Sequence, residues 1–280
     1  ILTIEPEERL RNKTINLFGG EPLLKENKEI VKYIVEKGKE YGFVFGVTSN
    51  GYDLNHYEDL LKEGYIQSVQ VTIDGTKAIH DSRRIHSIYK ESFDKIIDNI
   101  KMALNNRVAI GVRINVDNGN LGEIVKLDNF FREEELFSFE KFSAYAEYIS
   151  GEVNFSPESY LNKKETDVNY KSFLDLFTIP NMKITYKHFV YNNLRNAMHQ
   201  KTSLRLFSCH CSAQSNSYIF DPLGDIYSCL EIVGNKKEVI GNYTNNTIWA
   251  KEKDNWFNRE ISTINKCSKC KYALICGGGC

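Results

Sequence analysis

Four thiols crowd into the last fourteen residues, Cys267-Ser-Lys-Cys270-Lys-Tyr-Ala-Leu-Ile-Cys276-Gly-Gly-Gly-Cys280, as a C-x2-C-x5-C-x3-C run. Backbone strung that tightly between sulfurs either wraps an inorganic centre or is stapled by disulfides. The other three cysteines, Cys209, Cys211 and Cys229, lie just upstream, so all seven fall within residues 209–280. That segregation reads as a metal domain appended to a cysteine-free one.

Disulfides need an oxidising compartment, yet no basic segment followed by an apolar stretch marks the chain for export, and its many Lys, Glu and Asn residues suit the cytoplasm. Zinc is the stronger rival, because C-x2-C is its commonest clamp. Zinc sites, however, usually pair two such clamps, and here there is one. Tight thiolate runs with a remote partner are the ferredoxin style of iron–sulfur ligation, in which the fourth cysteine of a run often serves a different cluster. Seven thiols then suggest two four-iron clusters, one ligand short. The sequence starts at Ile1 and stops on Cys280, so both ends read as cut and the eighth ligand is expected beyond Cys280. His210, between Cys209 and Cys211, is either a further ligand or, as is commoner beside thiolates, a bystander.

A chain of 280 residues that is 41% hydrophobic can hold one large α/β domain and a smaller one. Its 36 basic and 37 acidic side chains leave a formal charge of −1, which argues against nucleic acid and anionic membrane as partners. The apolar runs are strand-sized, far below the roughly 20 residues that span a bilayer.

Thr14 to Phe18, Phe43 to Thr48, Ser68 to Ile73, Val108 to Val116 and Phe139 to Tyr148 read as buried strands. Helical patterns separate them. Glu26 to Tyr41 spaces Ile30, Tyr33, Ile34 and Lys37, and Glu91 to Asn105 spaces Phe93, Ile96, Ile97, Ile100 and Leu104, at helical intervals. Tyr52 to Leu61 and Leu121 to Phe131 are shorter candidates. Alternation of this kind predicts a parallel sheet or barrel, with ligands bound at the C-terminal strand ends. Residues 150 to 170 read as a loop, Tyr170 to Phe177 and Phe189 to His199 as helices, and the stretch after Asn216 as a hairpin turning at Pro222-Leu223-Gly224.

Polar or glycine chemistry marks the ends of the first four strands: Gly19-Gly20-Glu21-Pro22, Asn50-Gly51, Thr72-Ile-Asp74-Gly75 and Arg113-Ile-Asn-Val-Asp117. Each is compatible with an ordinary turn. Their shared address favours a site in which the glycines let backbone approach a ligand, Glu21 accepts from a cation, and the Arg83-Arg84 pair meets a carboxylate or phosphate.

Taken together these motifs resemble radical S-adenosylmethionine (radical SAM) enzymes carrying a C-terminal SPASM domain, across nearly the whole chain. The resemblance implies a partial (β/α)6 barrel with strands two to six over 1–150, a linker with helices over 151–208, and an auxiliary-cluster domain over 209–280. The family's C-x3-C-x2-C loop, which binds the cluster that cleaves the cofactor, is expected within about 50 residues upstream of Ile1. No cysteine present takes that role, and no catalytic residue is assigned. The SPASM pattern is met by Cys211, Gly224, Cys229, Cys267, Cys270, Cys276 and Cys280. By resemblance, Cys209, Cys211, Cys229 and Cys280 hold one auxiliary [4Fe-4S] cluster, and Cys267, Cys270 and Cys276 hold most of a second. Likewise Glu21 and Gly20 serve the methionine amino group of S-adenosylmethionine, Gly19 and Pro22 belong to the same cofactor site, Asn50 and Thr72 lie near its ribose or methionine, and Arg84 takes its carboxylate, with Arg113 as a rival.

The implied reaction is reductive cleavage of S-adenosylmethionine to a 5′-deoxyadenosyl radical that takes hydrogen from a peptide or protein, with flavodoxin or ferredoxin as reductant. Sulfatase maturases place an aspartate directly after the cysteine of the G-x4-C element, where this chain has Leu230 followed by Glu231. That departure favours a cross-link-forming peptide maturase over an anaerobic sulfatase-maturing enzyme. A zinc-binding module, or an electron-transfer protein that never cleaves the cofactor, is the reading from another class.

Overall fold

The computed structural model describes residues 14–117, 119–148, 181–185, 193–194, 197–198, 203–215, 217–244 and 248–279. The chain divides into two compact units, one within residues 12–187 and one within 188–280. The expected loop over 150–170, the helix Tyr170 to Phe177, much of that from Phe189 to His199, and Cys280 lie outside the described residues.

In the first unit, strands β1 (Thr14–Leu17), β2 (Val44–Ser49), β3 (Ile66–Thr72), β4 (Ala109–Val116), β5 (Phe142–Tyr148) and β6 (Met182–Thr185) form one parallel sheet in chain order. Between them run α1 (Lys28–Glu40), α2 (Glu58–Lys62), α3 (Lys77–Arg83), α4 (Phe93–Asn105) and α5 (Glu123–Glu133). This is the parallel sheet that the alternation predicted and the partial (β/α) barrel that the resemblance implied. The sixth strand, Met-Lys-Ile-Thr, is too short for sequence periodicity to register. Helix α3 also escaped the sequence reading, because His80 to Arg84 drew attention as a charge motif rather than as a helical turn.

The strands are not buried on both sides, as their apolar runs suggested. Pleating sends Phe45, Val47, Val69, Val71, Ile110, Val112, Ile114, Ala144 and Ala146 to one buried face. Helices cover that face: the Phe131 ring of α5 lies 5.5 Å from Phe142, and Gly38 of α1 sits against the Phe45 ring. The opposite face carries Thr48, Gln70, Thr72, Arg113, Asn115, Tyr145 and Glu147, all half-buried. A parallel sheet with one polar side is the interior of a barrel built to hold something polar.

Helix α1 forms where expected but turns a different stripe inward. Val31 and Val35 are buried, whereas Ile30, Tyr33 and Ile34 are exposed. The reason is Gly38, where an added Cβ would lie only 2.3 Å from Phe45 Cζ. The missing side chain seats the helix on the sheet through its small residues, and tertiary fit overrides the larger apolar stripe.

The second unit holds β7 (Ile219–Phe220), β8 (Asp225–Tyr227), β9 (Gly241–Asn242) and β10 (Ile248–Trp249), an antiparallel sheet in the order β10-β9-β8-β7. Its β7–β8 hairpin turns where the sequence indicated. Asp221 Oδ1 accepts from the Leu223 and Asp225 amides, both at 2.9 Å, and Gly224 takes φ +101°, a region that glycine enters freely. Two short helices follow, α6 (Glu252–Phe257) and α7 (Ala273–Cys276).

Candidate functional site

The chain leaves β1 through Gly19 and Gly20, at φ +95° and +49°, and a Cβ on either would meet nothing within 4 Å. Backbone there lies open at the rim. Glu21 follows and laces two loops together. Its Oε1 accepts from the Ser49 hydroxyl at 2.7 Å and the Leu23 amide at 3.0 Å, and its Oε2 accepts from the Asn50 amide at 2.6 Å. A carboxylate offers about four lone-pair directions, so Oε2 keeps capacity for a ligand donor. Pro22 leads into the fully buried Leu23, and Asn27 Nδ2 donates to both the Glu21 and Pro22 carbonyls, which fixes the turn.

Asn50 belongs to the same knot. Its Oδ1 accepts from the Tyr52 amide at 2.8 Å, and Gly51 beyond it takes φ +81°, pressed so close to Val71 that a Cβ would lie 2.9 Å from its Cγ1. Thr72 ends β3 on the polar face, paired with Arg113 of β4.

The structure separates the three candidate arginines. Arg83 is committed to Asp117 through Nη2 at 2.6 Å and Nη1 at 3.3 Å, a fork that holds the Asp117 carboxyl below the usual range. Arg113 donates from Nε to Asn115 Oδ1 at 2.9 Å and pairs through Nη2 with Glu147 at 3.0 Å. Among the described residues Arg84 is gripped only by its Nε, which donates to Asp74 Oδ2 at 2.8 Å. Its Nη atoms are left to the pocket it lines, about 510 Å³, together with Asn50, Tyr52, His80 and His86. Stacking stiffens the lip of that pocket. The His86 ring lies 4.1 Å from Tyr52, which carries the Lys95 ammonium 3.7 Å from its centroid.

Asp74 is the hinge of this arrangement and reads in sequence only as a turn residue. Its side chain is 8% exposed, and Oδ1 has no partner among the described residues. Asn120 Nδ2 holds its carbonyl at 2.6 Å, and its amide faces His80 Nδ1 at 3.4 Å. His80 is fully buried, and its pKa is pushed down to about 4 by that burial and by the nearby Arg84 charge. With Nδ1 accepting, the neutral ring carries its proton on Nε2, 3.2 Å from Ser92 Oγ. Its helical position one turn from Arg84 was the signal available in sequence.

In the second unit, the thiols of Cys209, Cys211, Cys229, Cys267, Cys270 and Cys276 are all free of disulfides. Two of the cysteine loops touch. Gly277, at φ +66° just after Cys276, lies so close to the other loop that a Cβ would sit 2.7 Å from the Cys209 carbonyl oxygen. His210 bridges the two loops, its Nδ1 lying 3.1 Å from the Cys276 carbonyl while its amide donates to Gln214. Arg259 holds the far end by donating to the carbonyls of Gly278 and Gly279. Among the described residues no three Cys, His, Asp or Glu side chains converge on one point. The soft donor set and the loop contact fit an iron–sulfur centre, while Cys267 and Cys270 are not drawn into that contact.

Residues 5–130 match the radical SAM superfamily. The cysteine-type anaerobic sulfatase-maturating enzyme of Clostridium novyi is 25% identical over 98% of this chain and 74% of that protein. Two solved structures share the fold. AdoMet-bound anSMEcpe covers 95% of this chain and 74% of its own, at 20% identity and TM-score 0.58. Streptococcus suis SuiB, bound to its precursor peptide SuiA, covers 95% and 61%, at 15% identity and TM-score 0.59. Residues 5–130 therefore carry a radical SAM domain, and the chain shares its fold with these two structures. Its sequence is similar to cysteine-type anaerobic sulfatase-maturating enzymes over nearly its whole length.

Among the described residues no helix is long and apolar enough to cross a membrane.

Proposed function

We propose that this protein is a radical SAM enzyme that modifies a peptide or protein, forming a cross-link in a cysteine-bearing peptide. The observation that carries this reading is the rim, where open glycine backbone, a carboxylate with acceptor capacity and a singly held arginine lie at the C-terminal strand ends of a polar-faced barrel. Those groups match the two charged ends of an amino acid. In this reading Gly19, Gly20, Glu21 and Pro22 receive the methionine ammonium of S-adenosylmethionine, Arg84 its carboxylate through the Nη atoms, and Asn50 and Thr72 its remaining polar groups. Arg113, satisfied by Asn115 and Glu147, is not needed for the carboxylate. Cys209, Cys211, Cys229 and Cys280 hold one auxiliary cluster, and Cys267, Cys270 and Cys276 contribute to another. When bound, S-adenosylmethionine and its cluster supply hydrogen-abstraction chemistry that no side chain can perform.

The chain's own task is to orient and shield. Glu21 locks the β1 and β2 loops, Asp74 aims Arg84, and the buried helix-side face excludes water from below. A reductant of the flavodoxin or ferredoxin kind belongs to the same reading, as does a cytoplasmic setting. The test uses the full-length gene product, reconstituted anaerobically with iron and sulfide and given S-adenosylmethionine, dithionite and a synthetic library of cysteine-bearing peptides. Expected are bound iron, 5′-deoxyadenosine, and a peptide lighter by two hydrogen atoms. Iron-free protein after reconstitution would end the proposal.

Sulfatase maturation is the second reading, favoured by the names of the Clostridium relatives. Against it stands Leu230, 47% exposed, directly after Cys229, where the sulfatase-maturase pattern has an aspartate. Formylglycine in a sulfatase-motif peptide would decide for it.

A further inference from the structure

We infer that Glu147 is the proton acceptor for the substrate, an inference that rests on the reading above. On the polar face of the sheet the described ionisable side chains are Arg113, Tyr145 and Glu147, and Glu147 is the one carboxylate. Arg113 carries donors and no acceptor. Tyr145 donates its phenol to Gln70 Oε1 at 2.7 Å, and burial raises its pKa, so it remains a neutral donor. Glu147 alone among them can take a proton.

Its placement suits the task. Register pairs Thr72, Arg113 and Tyr145 in one row and Asn115 with Glu147 in the next, one step nearer the C-terminal strand ends. That is the end where Glu21, Asn50 and Arg84 lie. The side chain is 19% exposed, reachable by a ligand without being solvated freely. Arg113 Nη2 meets Oε2 at 3.0 Å and is itself aimed by Asn115, so the carboxylate is held in one orientation. In the step, the S–H bond of a substrate cysteine breaks heterolytically. Sulfur keeps the electron pair, and the proton forms an O–H bond on Glu147 Oε1. No oxidant enters this step.

Glu147→Gln and Arg113→Gln, made in the full-length protein, test it with the cysteine-peptide library. Glu147→Gln is expected to lower kcat for the modified peptide about 10²- to 10⁴-fold. It should also abolish the acid limb of the pH profile while leaving peptide affinity, S-adenosylmethionine affinity and melting temperature as in the wild type. Arg113→Gln breaks the same ion pair but keeps the carboxylate, so it should lower kcat less than Glu147→Gln does and should retain the acid limb. The inference is overturned if Glu147→Gln keeps its kcat, if the loss is confined to KM, or if both variants lose stability and activity alike, as a purely structural tie would. Absence of deoxyadenosine from the wild type defeats the functional reading itself, and Glu147 falls with it. Deoxyadenosine and product at wild-type levels in Glu147→Gln defeat Glu147 alone.

Discussion

Replacing Glu21 by glutamine keeps the shape of the side chain and removes its charge, which isolates what the carboxylate does at the rim. Three donors converge on it, the Ser49 hydroxyl and Leu23 amide on Oε1 and the Asn50 amide on Oε2. A glutamine can present only one oxygen. The less costly orientation keeps that oxygen facing Ser49 and Leu23, which turns the new NH2 toward the Asn50 N–H. One half-buried backbone donor is then orphaned, at about 1–3 kcal/mol. Since about 1.4 kcal/mol is a factor of ten, protection of the Asn50 amide against hydrogen exchange should fall roughly 5- to 150-fold in ligand-free protein, with Leu23 less affected. Exchange read by mass spectrometry on peptides spanning 49–52 measures this. Unchanged exchange there would refute the claim that Glu21 ties β1 to β2. The same variant should bind S-adenosylmethionine more weakly; lost Asn50 protection with undiminished binding would remove Glu21 from the ammonium site and leave it a structural tie.

His80 makes stability depend on pH. Its folded pKa of about 4 lies below the ordinary 6.5, so the stability it contributes is complete above about pH 6.5 and is lost as pH falls toward 4, up to about 3 kcal/mol. Urea midpoints between pH 7 and 4.5 should show that slope and His80→Asn should flatten it; equal slopes would count against it. At Gly277, alanine puts a Cβ 2.7 Å from the Cys209 carbonyl in a left-handed conformation, so reconstituted Gly277→Ala should hold less iron than wild type, whereas Gly234→Ala, at φ +92° with nothing within 4 Å, should hold as much. On α1, Ile30→Lys should change stability by less than about 0.5 kcal/mol, while Val35→Ala should cost roughly 1–3 kcal/mol. The reverse order in thermal melts would contradict the face assigned to that helix.

Much of the architecture was legible because its causes are local. The β-branched runs of Ala109–Val116 and Ile66–Thr72 announce strands, and Phe93, Ile96, Ile97, Ile100 and Leu104 announce α4, where all five are buried. Asp221 to Gly224 announces its turn, since the side chain and the glycine that make it are adjacent in sequence. The inward face of α1 was not legible, because it depends on how closely Phe45 approaches a helix glycine from another element. Nor was the inequality of the three arginines. Asp74, Asp117 and Glu147 lie 10, 34 and 34 residues from the guanidiniums they engage, and nothing local distinguishes Arg83 from Arg84.

Sequence by itself determined the chemistry on offer, namely thiols gathered within residues 209–280, glycines and a carboxylate after the first strand, and a strand–helix alternation that predicts a parallel sheet. Residue type and spacing suffice for that, because sulfur affinity, glycine freedom and side-chain periodicity act over a few bonds. Tertiary structure decided which groups are available for work. It spent Arg83 and Arg113 on carboxylates and left Arg84 facing a pocket, and it placed a single described carboxylate, Glu147, on the polar side of the sheet. Hydrogen bonds and ion pairs form between whatever side chains the packed strands bring together, and that pairing exists only once the chain has folded.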